Sequence, residues 1–278
     1  SVAQINVLLG GIIASLLPVG SISYLYFSDR LMEFPLGLFS IALATVTLPT
    51  LSRLWASEDK TEFGQTLDWS MRLALLIVVP AAAGLILLAG PLIATLFFGG
   101  IFDENSVNMT MLALRAYAVG LIGFSFVKVL APAFFAREDT RTPVRIGLVA
   151  LGTNLVLSVA SAWYLTAAGF SGPHVGLAAA TSAAAVLNAA LLYRGLRRDQ
   201  VIRHSPGWLA LLARVGIANL VMCGVLLQLG RPLAWWLEVT LFERIYWLAM
   251  SVTVGAASYF LALLILGMRL SQFRLRAH

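Results

Sequence analysis

Three charged side chains sit together at the head of a long apolar run. In YLYFSDRLMEFP, residues 24–35, they are Asp29, Arg30 and Glu33. Ionised groups are expensive in hydrocarbon and normally face a partner or a wet cavity. On a helix, Asp29 and Glu33 lie ~40° apart and Arg30 ~60° beyond Glu33, so the three share one face. That face continues through Tyr26, Gly37, Ser40, Ala44 and Thr47, all small or polar. Leu31, Phe34, Leu38, Ile41, Leu43 and Leu48 occupy the others. Arginine suits phosphate, because its planar fork bonds two oxygens at once. The carboxylates can orient it, or take up a proton or cation. A salt-bridge knot with no ligand is the plainer alternative.

The other intramembrane cations weigh differently. Lys128 lies nine residues before Arg137, roughly 13 Å along a helix, and at that depth wants a carboxylate, carbonyl or phosphate. Arg115 is about two turns inside a span and either snorkels or faces a cavity. Arg72 follows Asp68 by four residues, the spacing of an intrahelical pair, and Arg214 can snorkel. His174, His204 and His278 fall at joints or the tail and read as solvated. Tryptophans near span ends, including Trp208, Trp235, Trp236 and Trp247, read as interfacial anchors. No HExxH, GxSxG, paired CxxC or glycine-rich phosphate loop appears. FDEN at 102–105 is the one acidic loop a membrane glycosyltransferase could use, and it also reads as a short hydrophilic turn. Cys223 stands alone, which excludes an intrachain disulfide and a cysteine metal cluster.

Composition says what must position these residues. Of 278 residues, 60% are hydrophobic and 12% charged, with mean hydropathy +0.89. Soluble domains carry about a quarter charged residues, so the chain reads as an all-α polytopic membrane protein. Apolar runs give eight expected spans: 1–17, 25–53, 67–98, 109–136, 142–167, 174–194, 207–229 and 243–268. Turn residues mark the joints, as in PVGS at 18–21 and GRP at 230–232. One alternate set of joints holds twelve lysines and arginines, among them Arg53, Lys60, Arg137, Arg141, Arg145, Arg194, Arg197, Arg198, Arg203, Arg269, Arg274 and Arg276. The other set holds Arg231 and Arg244. The positive-inside rule puts the first set, and the C-terminus, in the cytoplasm. The net charge of +6 is thereby read as loop arginine rather than nucleic-acid binding. Prolines at 35, 49, 80, 91, 132 and 143 mark close packing or hinges. The chain opens at Ser1 inside an apolar run and is expected to be part of a longer protein. It divides into a six-helix lobe, 1–195, and a basic connector with two further helices, 196–278.

Three stretches carry a resemblance: ASLLPVGSISYLYFSDRLMEFPLGLFSIALATVTLPTLSR at 14–53, VGLIGFSFVKVLAPAFFAREDTRTPVRI at 119–146, and GLAAATSAAAVLNAALLYRGLR at 176–197. With them the chain resembles the MurJ/MviN family of lipid II flippases, within the superfamily of multidrug exporters and polysaccharide flippases. The resemblance implies a bacterial inner-membrane transporter, not an enzyme, with no cofactor. It implies fourteen helices in two six-helix lobes plus a final pair, this chain holding the seventh to fourteenth and lacking the N-terminal lobe. Arg30 matches the required arginine of the family's DRL motif, with Asp29 and Glu33 beside it. The substrate would be lipid II, its tail cradled by helices 207–229 and 243–268 among membrane lipids, with cell-wall synthesis enzymes as possible partners. Where family members often carry an acidic residue before ASxL, some of them in a sodium site, this chain has Gly10 and Gly11. Asn154 and Thr181 would remain as polar remnants of that site. Sodium binding is therefore not expected, and coupling falls to membrane potential, protons or another ion. The competing readings are a sister flippase for another lipid-linked oligosaccharide or for drugs, and a transport-inactive scaffold for cell-wall enzymes.

Overall fold

The computed structural model describes residues 2–44, 47–202 and 206–268, with side chains for 4–38, 47–202 and 206–268. Arg203, His204, Arg269, Arg274, Arg276 and His278, and the side chains of Ser40, Ile41, Leu43 and Ala44, lie outside that description. The described chain is helical: α1 (Val2–Ser15), α2 (Ser21–Ala44), α3 (Thr47–Ala56), α4 (Lys60–Leu87), α5 (Ala89–Phe97), α6 (Glu104–Phe135), α7 (Arg141–Ala167), α8 (His174–Arg198), α9 (Trp208–Leu229), α10 (Leu233–Glu238) and α11 (Leu241–Ile265).

Six of these, α4, α6, α7, α8, α9 and α11, are long and apolar enough to cross a membrane. The expected spans 1–17 and 25–53 differ in kind. The fourteen residues of α1 cover about 21 Å against a hydrocarbon core of about 30 Å. The second expected span is divided between α2 and α3, and α2 carries the charged trio. The third is also divided, at Leu88 between α4 and α5. Pro91 explains that break, because it has no N–H for the carbonyl of residue 87 and crowds the preceding turn. Pro143 falls in the first turn of α7, where no intrahelical bond is lost.

Two helices organise the packing. α6 lies against α2, α4, α5 and α8. Its contact with α8 is backbone-close: a Cβ at Gly120 would stand 2.6 Å from Ser182 Cα, and one at Gly123 2.6 Å from Val186 N. Small residues permit this approach in membrane helices, where packing rather than water exclusion drives association. Ser182 Oγ then reaches across to donate to Ala116 O, 2.7 Å away. α4 is the second spine. One face joins the main core through Phe63, Leu67, Met71 and Ala74. Leu76 and Leu88 join a separate apolar cluster built by Leu211, Val215, Ala218, Met222 and Leu226 of α9 and Tyr259 and Leu263 of α11. The final pair is thus seated on α4. FDEN resolves into a turn and a cap: Gly99 and Phe102 bridge, and Asp103 caps α6 by accepting from Ser106 N at 2.8 Å.

Candidate functional site

The trio is held by α2, and α2 is registered on α6 by Ser28. Buried Ser28 places its Oγ 2.7 Å from Tyr24 O in its own helix and 2.8 Å from Thr110 O in α6. At the start of α2, Tyr24 rests against His174, ring centroids 5.3 Å apart. His174 is buried, not solvated as its position at a joint led us to expect. Its Nε2 lies 3.1 Å from Met109 O, so it bridges α8 and α6.

From this anchorage the three charges diverge. Arg30 donates to Glu33, Nη1 to Oε2 at 2.7 Å, with both side chains about half exposed. Its guanidinium lies 5.2 Å from the Tyr26 ring centre, one turn back. Asp29 instead turns into the bundle, half-buried, where Tyr117 of α6 joins Arg30 and Glu33 as an electrostatic neighbour. Glu33 therefore orients Arg30, and Asp29 belongs to the interior. The stripe continues as exposed Tyr26 and Gly37 but does not reach Thr47. Thr47 starts a new helix and faces inward, 3.4 Å from Ser70.

Lys128 is elsewhere. It lies eighteen residues beyond Thr110 on α6, about 27 Å further along that helix. There it lines a cavity of about 500 Å³ between α1, α6, α7 and α8, together with Phe124, Phe135, Pro143, Asn154, Thr181 and Asn188. The structure brings Lys128, Asn154 and Thr181 to one cavity and leaves Arg30 outside it. Arg115 is in neither place: its Nε donates to Ile86 O at 3.1 Å, so it caps the last turn of α4.

Asn154 is the hub of a hydrogen-bonded knot. Its Nδ2 donates to Asn6 Oδ1 at 2.6 Å, and its Oδ1 lies 3.3 Å from both Ser158 Oγ and Thr181 Oγ1. The knot joins α1, α7 and α8 with amides and hydroxyls, and no carboxylate enters it. Gly10 and Gly11 have no neighbour within 4 Å of a Cβ position. The side chain of α1 that meets Asn154 is Asn6, which reading the sequence missed. The amides Gln4 and Asn6 within VAQINVLLGG were the available signal, as was Ser158 one turn after Asn154.

Arg72 pairs with Asp68 as its spacing predicts, Nε to Oδ2 at 2.8 Å. The same carboxylate accepts from Trp208 Nε1 at 2.7 Å, making Trp208 a tie between α4 and α9 as well as a boundary residue.

The chain as a whole is similar to known proteins. The family described as lipid II flippase MurJ matches residues 1–244. A protein named "Probable lipid II flippase MurJ" from Vibrio cholerae is 43% identical over 274 residues, covering 99% of this chain and 51% of its own. A protein of the same name from Haemophilus influenzae is 42% identical, covering 97% and 52%. The lipid II flippase MurJ of Burkholderia cenocepacia is 37% identical, covering 100% and 52%. The chain spans about half the length of these curated relatives. A solved structure, lipid II flippase MurJ in an inward closed conformation, superposes with a TM-score of 0.75 at 24% identity, covering 94% of this chain and 50% of that one. That likeness is one of fold. Family match and relatives together place the chain: it belongs to the MurJ lipid II flippase family.

Proposed function

We propose that this chain supplies the carboxy-terminal portion of a lipid II flippase of the bacterial inner membrane, a transporter rather than an enzyme. On this reading α1, α2 with α3, α4 with α5, α6, α7 and α8 are six crossings of one lobe, residues 1–195. α9 and α11 are two more, residues 196–278, forming a groove for the lipid tail. These would be the seventh to fourteenth helices of the whole protein, with the C-terminus in the cytoplasm and a further lobe opposite α1 and α2. The unpartnered apolar residues Ile5, Leu8, Ile12, Phe34 and Leu38 support that placement of the second lobe.

The observation that carries the reading is Arg30. It is an exposed arginine on a helix of a chain that is 60% hydrophobic, steadied by Glu33 and Tyr26 but not enclosed. A pyrophosphate headgroup is too polar to cross hydrocarbon, while its polyprenyl tail never has to leave it. Arg30 binds the pyrophosphate, and rocking of the two lobes carries it across the membrane. Glu33 competes for the same guanidinium and so limits how tightly phosphate is held. Lys128 serves a second polar region near the basic end. Asn154 and Thr181 join helices there rather than holding sodium, which leaves coupling to membrane potential or another ion gradient. Cell-wall synthesis enzymes are the expected protein partners, and nucleic acid is not one.

The test is Arg30→Ala and Arg30→Lys in the full-length protein, scored by appearance of lipid II at the outer face. Alanine is expected to abolish flipping. Lysine is expected to restore little, because it cannot form the bidentate fork. Normal flipping in both variants would refute the assignment. A related lipid-linked oligosaccharide competing as well as lipid II would instead favour a sister flippase.

A further inference from the structure

The joint between α9 and α11 carries an arginine that the flipping reading does not use. Both helices are long enough to cross a membrane, so residues 230–240 between them lie at a membrane boundary. There the Arg231 guanidinium carbon stands 4.4 Å from the centre of the Trp235 ring and 4.0 Å from that of Trp247. The two indoles stand at 89° with centroids 6.1 Å apart, so they form a corner around the cation. Trp236 braces Trp235 edge-on at 5.3 Å, and Tyr246 braces Trp247 at 5.8 Å.

The corner is built on a rigid base. Arg244, in the first turn of α11, is buried. Its Nη1 donates to Ala94 O at 3.2 Å and its Nη2 to Leu237 O at 3.0 Å, tying α5 and α10 to α11. The entry to α11 is fixed by a capping box in which Glu243 and Thr240 satisfy one another. Glu243 is thereby engaged, and Arg231 has no ion pair or hydrogen bond among the described residues. The rings hold the cation in place but offer it no acceptor. Its five N–H donors remain available on an exposed side chain.

The surroundings decide what the acceptor is. Tyr246, whose ring packs against Trp247, is 58% exposed, and Phe242, one turn before it on the same face of α11, is 79% exposed, an apolar flank that a free anion would not need. An anion joined to acyl chains satisfies both halves. We propose that Arg231, Trp235 and Trp247 bind the phosphate of a membrane phospholipid, with Phe242 and Tyr246 against its chains. The site holds a structural lipid at the α10 end of the bundle and is separate from the pyrophosphate site assigned to Arg30.

The corner contains its own reporters. The protein in neutral detergent micelles is titrated with phosphatidylglycerol brominated near the carbonyl end of its chains, and tryptophan fluorescence is followed. Brominated diacylglycerol, which lacks the phosphate, is the control. Wild-type protein is expected to be quenched at a several-fold lower mole fraction of the phospholipid than of the control. Arg231→Ala is expected to weaken phospholipid quenching by about tenfold, as for one lost charge-assisted hydrogen bond. Arg231→Lys should fall between, since it keeps charge but loses much of the ring contact. Circular dichroism of each variant shows whether helix content is kept. Equal quenching by the two lipids, or an Arg231→Ala protein of native helicity that behaves as wild type, would overturn the proposal. Displacement of the phospholipid by millimolar inorganic phosphate would overturn it too, since the site would then be one for a free anion. None of these outcomes depends on lipid II transport.

Discussion

Glu33 and Arg30 are a half-exposed pair, and that exposure decides what their contact is for. An ion pair this open to solvent adds little to stability, so it is not there to hold the fold. Its effect falls on the arginine, whose donors it occupies until a better acceptor arrives. Glu33→Gln removes the charge and keeps the shape. If Arg30 holds the pyrophosphate as proposed, we expect a melting temperature close to wild type, tighter retention of lipid II by the full-length protein, and slower release at the outer face. Faster turnover with unchanged retention would contradict the competitive role. The sequence showed that the three charges share a face, but not which carboxylate reaches the guanidinium. Asp29 and Glu33 are nearly equivalent on a helical wheel. They are distinguished by what lies beside α2, and the Ser28–Thr110 contact that sets this comes from a residue 82 positions away. Asn6 was hidden for the same reason: an amide in an apolar run has no visible partner until α7 lies against it.

Elements were legible where periodicity and length agree. The expected spans 142–167 and 174–194 lie within α7 and α8, and 109–136 overruns α6 by one residue, its C-cap Ala136. Breaks were less legible, because a proline states that a hydrogen bond is missing and not what replaces it. Pro80 was read as packing or hinge. In the structure α4 runs through it, and the carbonyl that Pro80 cannot serve, Leu76 O, accepts instead from Tyr259 Oη of α11 at 2.8 Å. The last helix thus satisfies a defect in the fourth. Tyr259→Phe would leave that buried carbonyl without a donor, at a cost of about 1–3 kcal/mol, and free α4 to bend at Pro80. The expected result is a lower melting temperature in detergent together with faster amide exchange in α4 just before Pro80. Loss of stability with unchanged exchange there would assign Tyr259 to simple packing.

For the whole molecule the question is whether the final helix pair moves with the body beneath it. The sequence divided the chain near residue 195 and gave no sign of how the two parts are joined, because the ties are single side chains far apart in order. Four of them gather at the basic end. Asp199, at the end of α8, accepts from Arg137 at 2.9 Å, and Arg137 also lies over Trp55 of α3. Val201 O presses on α4 so closely that a Cβ at Gly64 would stand 2.8 Å away. Arg72 of α4 reaches Pro206 O at 3.3 Å and lies over the Trp208 ring. Asp68, 3% exposed, joins Arg72 to the Trp208 indole. This set of contacts makes α9 a continuation of the body rather than a tethered appendage. Asp68→Ala removes the acceptor that Arg72 and the part-buried indole N–H of Trp208 share, leaves Arg72 its bond to Pro206 O, and should cost about 1–3 kcal/mol, the range for a buried donor left unsatisfied. Trp208→Phe should cost less, because the ring stays and one hydrogen bond goes. If Asp68 is the common node, the double variant will be less destabilised than the sum of the two, and the first amides of the helix ladder in α9 will exchange faster in every variant lacking the carboxylate. Strict additivity, with exchange at the start of α9 unchanged, would mean that the helix pair is held by the apolar cluster around Leu76 and Tyr259 alone.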